Sequence, residues 1–137
     1  GQYSFSGPTG SDGDGSIMIV VATNAPLSAR NLERVARRSI MGLARTGSFA
    51  SNGSGDYVIA FSTASDVRRS TNSGVSSYED LSNTSMSGLF AATVEATEES
   101  IYNSLFKAET VTSNGRTVEA LPLEAALEVL RRFGTVR

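Results

Sequence analysis

The spacing of hydrophobic residues changes several times along this chain, and each change marks a predicted element. The run SIMIVVAT, residues 16–23, is apolar and β-branched without polar alternation, which is typical of a strand covered on both faces. The run YVIAFST, residues 57–63, predicts a second strand of the same kind. Between them, Ser28 is a favourable N-cap for a helix that ends near Thr46-Gly47. The residues predicted to form its buried stripe are Leu32, Val35, Ala36, Ile40 and Leu43.

The second half of the chain predicts a long loop, two helices and a hairpin. Residues 64–85 are rich in Ser, Thr and Asn and predict a surface loop. Asn114-Gly115 has the composition of a type I′ turn, in which both central residues need positive φ. Pro122 is expected at the first position of a last helix that ends at Gly134. The helix before the hairpin is predicted from the spacing of Phe90, Val94, Thr97, Ile101, Leu105 and Ala108. Its other face carries three carboxylates that are expected to be solvated, Glu95, Glu98 and Glu99.

The side chains that the sequence lacks narrow the possible chemistry. With no His and no Cys, the chain cannot by itself form a Ser-His-Asp triad, a thiol nucleophile or a zinc site of imidazole or thiolate ligands. A formal net charge of -2 gives no overall attraction to nucleic acid or to an anionic membrane, so neither partner is expected. The first helix contains five arginines, which we interpret as a solvated or subunit-contacting face rather than a phosphate site. They are Arg30, Arg34, Arg37, Arg38 and Arg45.

A hydrolase without His or Cys needs a Ser or Thr nucleophile and an amine or carboxylate that accepts its proton. Lys107, the only lysine, lies near the end of a predicted helix, where a structural role is favoured. An N-terminal Ser carries its own amine, whose ordinary pKa is ~7.7–8.0. Ser16 lies where a Gly-rich linker meets a predicted strand, and Gly15 permits the backbone geometry for attack on the preceding carbonyl. The Gly15–Ser16 bond is therefore a candidate self-cleavage site, although Gly-Ser before a strand is also common in ordinary loops.

Two stretches resemble a known family. They are GSIMIVVATNAPLSARNLERVARRSIMGLARTGSFASNGSGDYVIAFST, residues 15–63, and EATEESIYNSL, residues 95–105. Both are similar to the DmpA/β-peptidyl aminopeptidase family, which comprises L-aminopeptidases and D-amidase-esterases with an N-terminal serine nucleophile. The resemblance implies an α/β (α+β) fold, an αββα four-layer sandwich of the DmpA/ornithine-acetyltransferase type, of which this chain is the C-terminal part. Residues 1–15 would be the tail of the α part before the processing site, and residues 16–137 the catalytic β-subunit.

The resemblance also assigns roles to individual residues. Ser16 would be the nucleophile, and Ser54 and Asp56 match the family's second serine and the acidic residue near it. Ser54 would relay or orient a proton between the amine and Ser16, and Asp56 would hold the α-ammonium group. The alternative is that Asp56 only caps backbone amides at the end of a turn. Asn24 stands where family members commonly carry Asp, and it is expected with Thr23 at the floor of the pocket.

The function implied is a self-processing serine aminopeptidase or amidase that acts on short peptides, amino-acid amides or esters, in some members with β- or D-residues. No metal or cofactor is expected. The implied partners are the α part of the same precursor and further αβ units, as a tetramer of heterodimers. The alternatives are a hydrolase of nylon-like amide oligomers, an acyltransferase, which Ser at position 16 disfavours, and a non-catalytic assembly domain. The sequence leaves the compartment open between cytoplasm and periplasm.

Overall fold

The structure is a computed structural model that describes residues 15–69, 71 and 74–136. The predicted linker, apart from Gly15, lies outside the described residues. The described residues divide into two compact units, one within residues 15–100 and the other within residues 101–136. Within the described part of the chain, no helix is long and apolar enough to cross a bilayer.

The first unit contains a strand–helix–strand motif, as predicted. Its elements are β1 (Met18–Thr23), α1 (Ala29–Arg45), β2 (Tyr57–Ser62) and most of α2 (Met86–Phe106). The two strands are parallel neighbours whose register runs from Met18 opposite Tyr57 to Thr23 opposite Ser62. The segment between β2 and α2 was predicted as a loop, and its described residues form only two short 3-10 turns, Ser65–Val67 and Asn83–Ser85.

The sequence signals at the two ends of α1 are confirmed. The side chain of Ser28 accepts a hydrogen bond from the backbone N–H of Asn31 at 3.3 Å, which is the contact that an N-cap makes. At the other end, Gly47 has a φ of +99°, a conformation that glycine adopts without the steric cost of a Cβ atom. Local residue chemistry therefore sets both limits of this helix.

The buried face of α1 differs from the predicted stripe. Val35 and Leu43 are buried as expected, but Ile40 is 38% exposed, and Ser39 is fully buried although the predicted stripe did not include it. The reason is the close approach of α2 at Gly42, where an added Cβ would lie 2.5 Å from the carbonyl oxygen of Val94. A helix crossing this close favours small residues at the contact over large apolar ones.

The hydrophobic core lies between the helices and one face of the sheet. Leu27, Val35 and Met86 are its fully buried members. The half-buried residues packed against them are Val21, Ala25, Leu32, Leu81, Leu89 and Phe90. Val21 brings β1 into this core, and the side chains next to it in the strand point the other way, because neighbouring residues of a strand face opposite sides of the sheet.

The opposite face of the sheet is open in this chain, so the prediction of strands covered on both faces is wrong for the chain taken alone. Burial alternates along both strands, and every second residue is exposed. The large apolar side chains on the open face are Met18, Val20, Tyr57, Ile59 and Phe61, which are 44–65% exposed. Apolar residues on both faces indicate a sheet suited to a covering layer on each side, and α1 and α2 supply one of them.

The five arginines of α1 support their interpretation as a polar surface. Arg37 pairs with Glu33 of the same helix, and Arg45 pairs with Glu98 of α2 at 3.3 Å. The guanidinium of Arg38 lies 4.3 Å from the ring centre of Phe90, within the range of a cation–π contact. Glu98, predicted to be solvated, is therefore half-buried and paired.

Asp80 connects the long loop to the start of α1. One of its carboxylate oxygens accepts hydrogen bonds from the backbone N–H of Ser28 at 2.9 Å and from the side-chain amide of Asn31 at 2.8 Å. The bond from the Ser28 backbone is the main reason that the pKa of Asp80 lies below its ordinary value. No local pattern in the sequence predicts this contact, since the partners lie 52 and 49 positions apart.

Replacing Asp80 with Asn is expected to make stability less dependent on pH. A lowered pKa in the folded state stabilises the protein above the ordinary pKa of 3.8, and this contribution is lost as the pH falls through the folded value. Asp80→Asn should therefore lower the urea midpoint of the full-length protein at pH 7, and the difference from wild type should shrink near pH 3. Glu79→Gln, an exposed neighbour, is the control. Equal midpoints for Asp80→Asn and wild type at pH 7 would contradict the expectation.

The second unit, taken by itself, contains the end of α2 and three further elements. They are β3 (Val111–Ser113), β4 (Arg116–Val118) and α3 (Leu123–Arg132). Asn114 and Gly115 have φ values of +51° and +73°, as the predicted type I′ turn requires. Pro122 directly precedes α3 rather than beginning it, and Gly134 with φ +68° follows its end. The helix α2 ends at Phe106, so Ala108 lies beyond it, and Leu105 is 48% exposed.

Candidate active site

The parallel pairing of β1 and β2 brings the predicted site residues together. Ser16 lies just before β1, and Ser54, Gly55 and Asp56 lie just before β2. Parallel neighbouring strands begin at the same edge of a sheet, so these two segments meet there. The backbone N–H of Tyr57 donates to the carbonyl oxygen of Ile17 at 3.0 Å and fixes the alignment.

The hydroxyl of Ser16 is held by a backbone amide. The N–H of Gly55 donates to Ser16 Oγ at 3.0 Å. A Cβ added to Gly55 would lie only 3.2 Å from that oxygen, so glycine allows the backbone to come this close. A donor on Oγ orients the side chain and favours developing negative charge on the oxygen. Sequence reasoning missed Gly55, although the spacing S-G-D places it between two assigned residues.

Ser54 and Asp56 form a hydrogen-bonded pair beside Ser16. Ser54 Oγ lies 2.8 Å from Asp56 Oδ1, and the same carboxylate oxygen accepts from the backbone N–H of Ile17 at 3.2 Å. Asp56 therefore accepts a hydrogen bond from a backbone amide, as expected if it only capped a turn. The amide is not part of its own turn, however, because it belongs to Ile17, the residue after Ser16. The Asp56 carboxylate thus fixes the Ser54 hydroxyl and also the backbone directly after Ser16.

Ser54 also reaches the carbonyl on the other side of Ser16. Its Oγ lies 3.0 Å from the carbonyl oxygen of Gly15. A serine hydroxyl has one proton, so it can donate fully either to this carbonyl or to Asp56, but not to both at once. The carbonyl of Gly15 belongs to the bond that the sequence suggests is cleaved. The structure thus places a donor on the oxygen where charge would develop during such a cleavage.

Thr23 and Asn24 are not part of this cluster, so the prediction that they form the pocket floor is wrong. They lie at the opposite end of β1 from Ser16, roughly 20 Å away at about 3.3 Å per residue. There Thr23 Oγ1 accepts from the backbone N–H of Ala25 at 3.1 Å and supports the turn that leads into α1. These residues are close to Ser16 in sequence, but an extended strand separates them in space.

Similarity to solved structures defines the class of protein. The chain aligns with the L-aminopeptidase D-Ala-esterase/amidase from Ochrobactrum anthropi at a TM-score of 0.79 and 32% identity, over 89% of this chain and 35% of that one. That structure is described as a prototype for the serine aminopeptidases and a new variant of the Ntn hydrolase fold. The PH0078 protein from Pyrococcus horikoshii OT3 aligns at a TM-score of 0.78 and 44% identity, over 88% of this chain and 34% of that one. The chain therefore has the α+β fold of part of this Ntn hydrolase variant.

Sequence comparison identifies the family. The model of peptidase family S58 matches residues 2–118. The β-peptidyl aminopeptidase BapA of Sphingosinicella microcystinivorans is 43% identical over 129 residues, which are 91% of this chain and 33% of that protein. BapA of Sphingosinicella xenopeptidilytica is 36% identical over 118 residues, which are 85% of this chain and 29% of that protein. The chain belongs to peptidase family S58, and it spans about a third of the length of these relatives.

Proposed function

We propose that this chain is the nucleophile-bearing part of a self-processing serine aminopeptidase, with Ser16 as the nucleophile. The observation that carries the proposal is the position of Ser16 Oγ, which accepts from Gly55 at 3.0 Å, with the Ser54–Asp56 pair beside it. Membership of peptidase family S58 supports a hydrolase. The relatives include β-peptidyl aminopeptidases and an L-aminopeptidase D-Ala-esterase/amidase.

Self-cleavage begins with attack of Ser16 Oγ on the carbonyl carbon of Gly15. The bond between that carbon and the nitrogen of Ser16 breaks, an ester to Oγ forms, and the Oγ proton passes to the nitrogen. During the attack Ser54 donates to the Gly15 oxygen and stabilises its negative charge, which the distance of 3.0 Å supports. Water then hydrolyses the ester, so that Gly15 ends in a carboxylate and Ser16 begins with a free amine.

Substrate hydrolysis uses that new amine as the base. The α-amine of Ser16 accepts the Oγ proton while Oγ attacks the carbonyl carbon of the substrate. The C–N bond of the substrate then breaks, the α-ammonium gives that proton to the leaving amine, and the acyl-enzyme ester remains on Oγ. Water then releases the acyl group as a carboxylic acid. Once the Gly15–Ser16 bond is cleaved, the Ser54 hydroxyl retains Asp56 as its partner at 2.8 Å and orients the amine or the attacking oxygen. The nucleophile, its base and the Ser54–Asp56 pair all belong to this chain.

The proposed substrates are short peptides, amino-acid amides or esters with a free amino end. The names of the relatives support this class, since they describe aminopeptidase, esterase and amidase activities. A related candidate is a hydrolase of linear amide oligomers, which would use the same acyl-enzyme chemistry. Product analysis on aminoacyl p-nitroanilides and on amide oligomers separates the two.

The proposed partners are the rest of the precursor and further αβ units. The open face of the sheet exposes apolar side chains such as Ile59 and Phe61, which suit burial against another layer. A tetramer of heterodimers is the assembly that family resemblance suggests. Light scattering of the purified full-length protein tests it.

The experiment that tests the proposed function is intact-mass spectrometry of the full-length protein together with an aminoacyl p-nitroanilide assay. An active enzyme of this kind is expected as two chains, the smaller one beginning at Ser16. A single uncut mass without anilide hydrolysis would favour the non-catalytic assembly domain.

Ser54→Ala and Asp56→Asn test the pair beside the nucleophile. Loss of the Ser54 hydroxyl is expected to slow both self-cleavage and anilide hydrolysis on the order of 10²-fold, because a donor that stabilises developing charge contributes about that much. Asp56→Asn should reduce turnover while its amide oxygen can still accept from Ile17. Ser48→Ala is the control, since Ser48 lies in the same loop and accepts from the N–H of Ala50. Wild-type rates of cleavage and turnover in Ser54→Ala would remove Ser54 from the mechanism.

A further inference from the structure

We infer that Tyr57 is a specificity-determining residue of this site, whose ring contacts the side chain of the substrate's acyl residue. The inference rests on the proposed function, because it takes Ser16 as the nucleophile that carries the acyl group. The sequence analysis placed Tyr57 at the start of a predicted strand and gave it no role in the site.

The sheet register places Tyr57 on the same face as Ser16. Tyr57 lies opposite Met18 in the parallel pair, and Ser16 lies two residues before Met18, just outside β1. Ser16 and Met18 are both exposed and Ile17 between them is half-buried, so the alternation of the strand continues to Ser16. Residues two apart in a strand point to the same side of a sheet. The hydroxyl of Ser16 and the ring of Tyr57 therefore both project from the open face, away from α1 and α2.

The two side chains are also close along that face. A Cβ built on Gly55 would lie 3.2 Å from Ser16 Oγ and 3.8 Å from Tyr57 Cε2, so these two atoms are at most 7.0 Å apart. An acyl group bound to Oγ has its Cβ three covalent bonds, about 3–4 Å, from that oxygen. A side chain longer than a methyl group on that Cβ lies within contact distance of the ring if it extends toward Tyr57.

The surroundings of both groups favour this contact. Tyr57 is 65% exposed in this chain taken by itself, so the described elements leave most of its ring uncovered. Gly15 supplies the acyl carbonyl in self-cleavage, and a Cβ added to it would meet no described atom within 4 Å. The described residues of this chain therefore leave space for a side chain at the acyl position. An aromatic ring there offers apolar contact area with little loss of side-chain freedom, which favours large apolar acyl residues over small ones.

Packing against another layer is the alternative role for an exposed aromatic residue on this face. Phe61 provides the comparison, because it projects from the same face of β2 but lies opposite Ala22, farther from Ser16 along the strand. A packing role predicts that Tyr57→Ala and Phe61→Ala lower activity toward all substrates by a common factor. A specificity role predicts that the ratio between substrates changes for Tyr57 variants alone.

The test measures kcat/KM of the full-length protein with phenylalanyl and alanyl p-nitroanilide, in the α- or β-amino form that the wild type hydrolyses. Tyr57→Ala should lower the phenylalanyl-to-alanyl ratio about 10-fold or more, the scale that apolar pocket contacts provide. Self-cleavage, read from intact mass, should be unchanged, since Gly15 has no side chain to contact the ring. Tyr57→Leu, which keeps an apolar side chain for packing, should shift the ratio in the same direction.

An unchanged ratio in processed, active Tyr57→Ala or Tyr57→Leu enzyme would overturn this inference and leave the proposed function standing. An equal shift in Phe61→Ala would do the same, because it would assign the effect to packing of the face. A wild-type protein that hydrolyses neither anilide would overturn the proposed function and, with it, this inference.

Discussion

A Ser16→Ala variant of the full-length protein is expected to remain one chain and to lose anilide hydrolysis by a factor on the order of 10³ or more. The methyl group removes the oxygen that Gly55 holds at 3.0 Å, so no nucleophile remains to attack either the Gly15 carbonyl or a substrate. The uncut bond also keeps the nitrogen of Ser16 in an amide, which cannot accept a proton as an amine does. Both losses follow from one atom, so they should occur together. Intact mass and initial rates measure them.

Ser100→Ala is the matched control for this substitution. Ser100 is an exposed serine of α2 whose hydroxyl donates to the carbonyl of Ala96, and its loss should leave cleavage and turnover at wild-type levels. Appearance of two chains in Ser16→Ala would place the nucleophile elsewhere. Far-UV circular dichroism of the variant shows whether the fold is retained, so that lost activity is assigned to chemistry.

Gly42→Ala is expected to produce the largest loss of stability. The added Cβ would lie 2.5 Å from the carbonyl oxygen of Val94 and 2.7 Å from the Cβ of Thr97. A main-chain oxygen inside α2 cannot rotate away as the end of a flexible side chain can, so the two helices must separate. Such overpacking should cost about 3 kcal/mol, at the upper end of its usual range. Urea unfolding of the full-length protein measures the cost.

Gly88→Ala makes the same chemical change where there is space. Gly88 is an exposed helical residue of α2, and a Cβ added to it meets no described atom within 4 Å. Alanine favours a helix over glycine by up to about 1 kcal/mol, so this variant should be as stable as wild type or slightly more so. Equal stability of the Gly42 and Gly88 variants would show that the helices are not in close contact at Gly42.

The elements whose signals are local agree with their prediction. Ser28 begins α1, Gly47 follows its end, and Asn114-Gly115 forms the hairpin turn, because each signal depends on residues a few positions apart. The predictions of burial that differ depend on distant partners. Ile40 is exposed because α2 approaches α1 at Gly42, and the spacing of residues within α1 contains no information about α2.

The candidate site shows the same division. Resemblance to the family predicted Ser16, Ser54 and Asp56, because it matched them by position. In the structure Ser54 is hydrogen-bonded to Asp56, and the amide of Gly55 between them is hydrogen-bonded to Ser16 Oγ. The sequence did not predict the roles of Gly55 and Tyr57. Any residue except proline has a backbone N–H, so the role of Gly55 cannot be read from its residue type. Tyr57 begins an apolar run, where an aromatic residue is ordinarily part of the core. Their proximity to Ser16 follows from the pairing of two strands.

The sequence by itself determined which segments form strands, helices and turns, and it excluded every mechanism that needs His or Cys from this chain, because both depend only on residue type and short-range spacing. Only the tertiary structure decided which face of the sheet is open, which glycine permits the helix crossing and which amide holds Ser16 Oγ. The physical reason is distance along the chain: Gly55 and Ser16 are 39 residues apart, and only the parallel register of β1 and β2 brings them into contact.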